Sequence, residues 1–292
     1  MANPRAEAED KLGGDYEARV LEPSPPAITY EPWTDDPVAP GEVPEGRELV
    51  SPLEDWSDLT WDDIAREEPD LAPWCAERWL GAWKRLEALP ATFAETRLAL
   101  HRVAEGVVSS ARKPENEISL RYTLGGFGTP FFEEAGAEWQ VRVANGQLIR
   151  QRGREETSEP LPVEVDGTAA SALGDLYGFA CSVLEQLRAD EASDGDPSLV
   201  VLWPEHFDLA VELGNEGRGR RATFGASPGD EQHEEPYLYV TPAKAELASG
   251  ELWGATGFSG AELPYSELLA APDQRRAALE FMRERYRAIQ EG

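Results

Sequence analysis

The chain of 292 residues sets 27 Lys and Arg against 56 Asp and Glu, a formal charge of -29 at pH 7, with 41% apolar and 28% charged residues. Such a field repels polyanions, which excludes a generic nucleic-acid binder and a protein held on an anionic membrane surface. No run approaches the roughly 18 consecutive apolar residues of a membrane helix, and residues 1–13 show neither a secretory nor a transit pattern, so a soluble, cytoplasmic protein is expected.

The acidity is uneven. Residues 1–70 hold 20 acidic and five basic side chains, about half of the net charge. Pro25, Pro26, Pro32, Pro37, Pro40 and Pro44 remove backbone donors and disfavour helix or central strand. Residues 1–52 therefore read as an acidic, largely irregular arm, either docked through Ile28, Tyr30 and Trp33 or disordered, ahead of a single core domain over 53–292.

Leu53, Trp56 and Leu59 recur every three residues, as in a short helical turn. Pro73 suits a first helical position, and Cys75, Trp79, Trp83 and Leu86 then fall on one helical face until Pro90. Phe93, Thr96, Leu100, Val103 and Val107 form a second stripe, so residues 73–112 predict a helical hairpin with its tryptophans packed inside. Cys75 and Cys181 lie far apart in apolar patterns and read as reduced core residues rather than a disulfide or metal cluster.

The alternation of Ile118, Leu120, Tyr122 and Leu124 predicts a half-buried strand. Gly125, Gly126, Gly128 and Pro130 read as a tight loop, since they lack the lysine and hydroxyl of a phosphate-binding loop. Asn145 and Gly146 predict a hairpin turn between strands at 138–143 and 147–149. A polar interval over 150–162 precedes a long helix carrying Leu173, Leu176, Tyr177, Ala180, Leu184 and Leu187, with Asp166 and Thr168 as start signals and residues 190–197 as the stop.

Residues 199–203 are a compact apolar run. Phe207, Leu209, Val211 and Leu213 then alternate with His206, Asp208, Ala210 and Glu212, which predicts a strand with His206 and Asp208 together on its exposed face. That pair could orient an imidazole as a general base, or hold a divalent ion if a third ligand joined it. His233 is the natural third member, because the acidic segment 230–235 lies between a Ser-Pro-Gly turn and a strand-like stretch at 236–241. His101, on a helix with no acidic partner at a matching spacing, reads as structural, and neither a zincin spacing nor a calcium loop is present.

Arg218 and Arg220, in the basic loop 217–221, could bind a carboxylate or phosphate, or simply meet neighbouring carboxylates. Further alternating stretches follow at 253–258 and 262–265. Leu279, Met282, Tyr286 and Ile289 close the chain as an amphipathic helix started by Asp273.

The order of elements argues for an α+β fold: a mixed or largely antiparallel sheet packed against several amphipathic helices, preceded by the acidic proline-rich arm. Across residues 98–289, that order resembles an uncharacterised bacterial family of unknown function. The resemblance is carried by the helix entering the strand at 118–124, the strands around 139–149, the helix at 173–187, the run His206, Phe207, Asp208, Leu209, Ala210, and Leu263, Pro264, Tyr265 before the last helix. It implies a common architectural site near His206 and the 217–221 loop, but no reaction, cofactor or catalytic residue. It also implies a longer histidine- and aromatic-rich passage where this chain has only residues 222–233.

The resulting expectation is a binding domain for a small molecule or a protein, its ligand contacts including Arg218, Arg220 and His233. Alternatives are a hydrolase-like or divalent-metal-dependent enzyme, using His206 as base or ligand, Asp208 to orient it and His233 to complete the set, and a structural or self-associating interaction module. Metal and cofactor stay unassigned.

Overall fold

The computed structural model describes residues 84–111, 119–123, 125–130, 132–152, 155–190 and 195–291. The arm over 1–52, the helical turn near Trp56 and most of the first helix of the expected hairpin lie outside the described residues. The last part of that helix is corrected. Residues 84–90 run without regular structure, yet Leu86 joins the buried core as expected, its N–H donating to Gln274 Oε1 (2.7 Å) and its carbonyl accepting from Gln274 Nε2 (3.0 Å).

Helix α1, Phe93–Val103, buries Phe93, Leu100 and Val103 as its stripe predicts. It runs into a wide π-helical turn, Ala104–Val108, closed by Ser109 N–H donating to the Ala104 carbonyl at 3.0 Å. The extra residue in that turn carries Val108 fully into the core, while the expected Val107 packs against it partly buried.

Two antiparallel sheets follow. The first contains β1 (Arg121–Thr123), β2 (Gly126–Gly128), β3 (Phe132–Glu134), β4 (Ala137–Ala144), β5 (Gln147–Arg152) and β6 (Glu155–Pro160), in the order β1-β2-β4-β5-β6 with β3 beside β4. Asn145 and Gly146 both take positive φ between β4 and β5, the geometry their sequence predicts. Two expectations fail here. The glycine run is a strand, and its lack of side chains is a packing requirement, since a Cβ on Gly126 would fall 2.0 Å from the Val143 carbonyl oxygen. The polar interval contains β6, which pairs with β5 along six residues while exposing every one of its side chains.

Helix α2, Gly167–Asp190, starts where Asp166 Oδ1 accepts the N–H groups of Thr168 and Ala169 at 2.8 and 3.0 Å. It is buried on most sides, packing on β1, β2 and β4 of the first sheet, on strands of the second, and on α1. The second sheet is the meander β7 (Val201–Trp203), β8 (Asp208–Leu213), β9 (Ala222–Ser227), β10 (Tyr237–Pro242) and β11 (Ala261–Pro264). Among the described residues one backbone bridge joins the sheets, Leu120 and Leu202 exchanging N–H···O bonds of 2.7 and 2.8 Å. Residues 253–258 form no strand. The short helix α3, Tyr265–Ala270, and the closing α4, Gln274–Glu291, complete the chain, and α4 packs on α2 and on β9 to β11. The fold is thus α+β, with two antiparallel sheets and several helices.

The second sheet buries both of its faces, which sets the site. One face offers Leu209, Val211, Phe224, Leu238 and Val240 to the core. The other carries Asp208 and Glu212 on β8, Thr223 on β9 and Tyr239 on β10, all buried, so the expectation that Asp208 lies on an exposed face is corrected. Two contacts account for this burial: Arg221 Nε donates to Glu212 Oε2 (3.0 Å), and the Tyr239 hydroxyl donates a short hydrogen bond to Asp208 Oδ2.

Candidate functional site

At one end of the second sheet, three segments and α1 enclose a cleft of about 660 Å³. Its walls include Arg97, Leu98 and His101 of α1, residues 205–208 of the β7–β8 turn, Ser227 and residues 229–233 of the β9–β10 connection, Tyr237, Gly257 and Phe258. All three histidines of the chain line it.

The β7–β8 turn is strained and braced. Phe207 holds φ at 54°, a left-handed conformation costly for a bulky side chain. The surroundings fix it there: its carbonyl accepts the Tyr177 hydroxyl at 2.6 Å, its ring stacks on His101 with centroids 5.1 Å apart, and Phe127 and Tyr177 meet it edge-on. His101 Nε2 lies 2.8 Å from the Pro204 carbonyl, so this histidine clamps the turn to α1. His206 sits in the turn rather than on the strand, and borders the cleft beside Asp208.

Asp208 is the first residue of β8 and only 1% exposed. Burial pushes its carboxyl up to about 6, outweighing the pull of His206 and of the Tyr239 hydrogen bond. Its second oxygen, Oδ1, has no hydrogen-bond partner.

Across the cleft, Asp230 organises the β9–β10 connection. Its Oδ1 accepts the N–H groups of Gln232 (2.7 Å) and His233 (2.9 Å) and faces His233 Nδ1 at 2.9 Å, while Oδ2 accepts the Tyr237 hydroxyl at 2.7 Å. Burial raises this carboxyl, but the hydrogen bonds from Tyr237, His233 and the backbone overcome that and hold it below the ordinary carboxylate range. His233 Nε2 lies 3.1 Å from Glu262 Oε2, so both ring nitrogens are taken by carboxylates, and its ring lies against Tyr237 with centroids 4.3 Å apart.

Arg97 is the residue that the sequence did not single out. It lies one helical turn before His101 and is 8% exposed, yet neither Nε nor Nη1 has a hydrogen-bond partner. Burial lowers the pKa of its guanidinium, opposed by the field of Asp230 and, more weakly, of Tyr177 and Tyr237. Asp230 does not pair with it; its oxygens are turned instead to Gln232, His233 and Tyr237. Gly229, at φ 99°, packs its backbone close to the guanidinium: a Cβ there would come within 2.5 Å of Arg97 Nη1.

His206, Asp208 and His233 therefore share one cleft, whereas Arg218 and Arg220 do not line it. The Arg218 N–H donates to Asn215 Oδ1 (2.9 Å) to cap a short 3-10 turn, and Arg220 Nη1 donates to the Ile289 carbonyl (3.1 Å) at the end of α4. Among the described residues, no group of three or more His, Cys, Asp or Glu side chains is arranged to hold a metal ion. Cys181 is a free, buried core thiol, which burial pushes well above its ordinary range. The signal that could have exposed Arg97 is its position: with Phe93 four residues before and His101 four after, it rides the edge of a buried apolar stripe, where an arginine is out of place.

No family model, curated protein or solved structure matches this chain. Among the described residues, no helix is long and apolar enough to cross a membrane.

Proposed function

We propose that the protein binds a small molecule in the cleft lined by Arg97, His206, Asp208 and His233. The observation that carries this reading is the Arg97 side chain, a buried guanidinium with unpartnered nitrogens on the wall of a cavity of ligand size. A buried cation without hydrogen bonds is costly, and an incoming ligand removes that cost. The interaction-module alternative has less support. Among the described residues Leu98 is the exposed large apolar side chain, and it sits at the cleft rather than in an apolar patch.

One observation favours an enzyme as a second reading. Asp208, buried at the cleft wall and raised to about 6, is suited to hold or release a proton near neutrality. His233 is less suited to act as the base, because its two nitrogens are both occupied by Asp230 and Glu262.

The test is a thermal-shift screen of the full chain against a mixed library of neutral, cationic and anionic metabolites, followed by NMR mapping of each hit. Binding should raise the melting temperature and perturb Arg97, His206 and His233. A library without hits, or hits that map elsewhere, would sink the reading.

A further inference from the structure

The cleft is unusual in its unmet demands. Its wall carries carboxylates at Glu205, Asp208, Asp230 and Glu231, yet Arg97 pairs with none of them. Asp230, the carboxylate whose field acts most on Arg97, is locked by four hydrogen bonds to Gln232, His233 and Tyr237. Turning it toward Arg97 would break the connection that shapes the cleft. The structure thus leaves the cation unpaired with the anion whose field acts most on it, and at position 229 only a glycine fits against the guanidinium.

The opposite demand comes from Asp208. With Oδ2 committed to Tyr239, Oδ1 is a buried acceptor without a donor. Leaving such a group unmatched opposes folding and favours any ligand that supplies the donor. A ligand able to satisfy both residues needs an anionic oxygen for Arg97 and an N–H or O–H donor for Asp208.

We infer, building on the proposed binding cleft, that the ligand is a small amphoteric carboxylate of the amino-acid or hydroxy-acid class, its carboxylate on Arg97 and its ammonium or hydroxyl on Asp208 Oδ1. The four wall carboxylates favour this class over a phosphate, since a dianion entering the cleft meets their field with one guanidinium to offset it. A volume of about 660 Å³ accommodates an amino acid together with a sizeable side chain, for which Tyr237 and Phe258 supply aromatic walls.

The experiment titrates the wild-type full chain by calorimetry with the twenty amino acids, their α-hydroxy analogues, the methyl esters and deaminated acids of any that bind, and inorganic phosphate. At least one amino or hydroxy acid should bind. Its methyl ester and its deaminated analogue should each bind about 10- to 100-fold more weakly, the loss expected for one charge-assisted hydrogen-bonded contact. Arg97→Met should reproduce the ester's loss, while the ester arm keeps the test valid should that variant fail to fold. An ester binding as well as its acid, phosphate binding in place of the acids, or library hits that are all neutral or cationic would each overturn the amphoteric assignment while leaving the cleft a binding site. Silence from these probes and from the mixed library would overturn both.

Discussion

Strand β8 carries two buried carboxylates on the same face, and their fates differ. Glu212, toward its C-terminal end, is met by Arg221, whose Nη1 also donates to the carbonyls of Asp196 (2.8 Å) and Gly214 (3.3 Å). Asp208, at the N-terminal end and bordering the cleft, has a tyrosine on one oxygen and nothing on the other. The arginines repeat the contrast: Arg188, fully buried, donates to Ser198 O and Glu185 Oε2 at 3.0 Å each, whereas Arg97 pairs with neither a carboxylate nor a carbonyl. In the Arg221–Glu212 and Arg188–Glu185 pairs the charges are matched inside the protein. Arg97 and Asp208 at the cleft each keep a buried atom unmatched, which leaves that free energy available to a ligand in the proposed binding site.

The largest expected effect breaks the scaffold half of this contrast. Arg221→Met strips Glu212 of its arginine and should lower unfolding free energy by about 3–5 kcal/mol, measured by urea denaturation. The next concerns proton linkage at Asp208. Its folded carboxyl is raised to about 6, so the folded state holds the proton longer than the unfolded chain does. The associated stability is complete below about pH 4 and is lost as pH rises through about 6, roughly 3 kcal/mol in total. Asp208→Asn should remove that slope, and equal pH dependence in wild type and variant would contradict the assignment.

Tyr239→Phe removes the hydroxyl from Asp208 Oδ2 and should cost about 2 kcal/mol. Because that bond pulls the carboxyl down, the variant should titrate Asp208 at a still higher pH by NMR. The smallest stability change is expected at Arg97. Arg97→Met should shift unfolding by no more than about 1 kcal/mol, or stabilise the fold, while weakening ligand binding. A loss comparable to that of Arg221→Met would mean that Arg97 is scaffold after all.

The parts of the fold legible in sequence are those in which one residue period or one turn signal dominates. Asn145 and Gly146, the Asp166 start of α2 and the apolar stripe of α4 are of this kind. Strand β9, Ala222–Ser227, escaped because Ala, Thr, Phe, Gly, Ala, Ser has no alternation, and both of its faces are buried. Strand β6 escaped for the opposite reason: five exposed polar residues and Pro160, held by backbone pairing with β5 and by ion pairs of Glu156 with Arg142 and Glu159 with Arg150, leave no apolar trace. At the site, His206, Asp208 and His233 were visible as chemistry-bearing residue types near turns. Arg97 left only a faint trace, its place at the edge of the α1 stripe, because its main distinction is the lack of a partner, a property of packing in three dimensions that no local pattern encodes.

The bridge between Leu120 and Leu202 sets where the molecule yields under load. Within a sheet, neighbouring strands such as β4 and β5 are laced along six residue pairs, whereas among the described residues the backbone ladder across this seam is the one Leu120–Leu202 bridge, with Phe127 packed on Phe207 beside it. Helix α2 straps the two sheets together from one side by resting on strands of both. The β7–β8 turn follows directly on Leu202 and Trp203, and Phe207 within it meets Phe127 of β2, so a strain that parts the sheets is passed to the wall of the cleft.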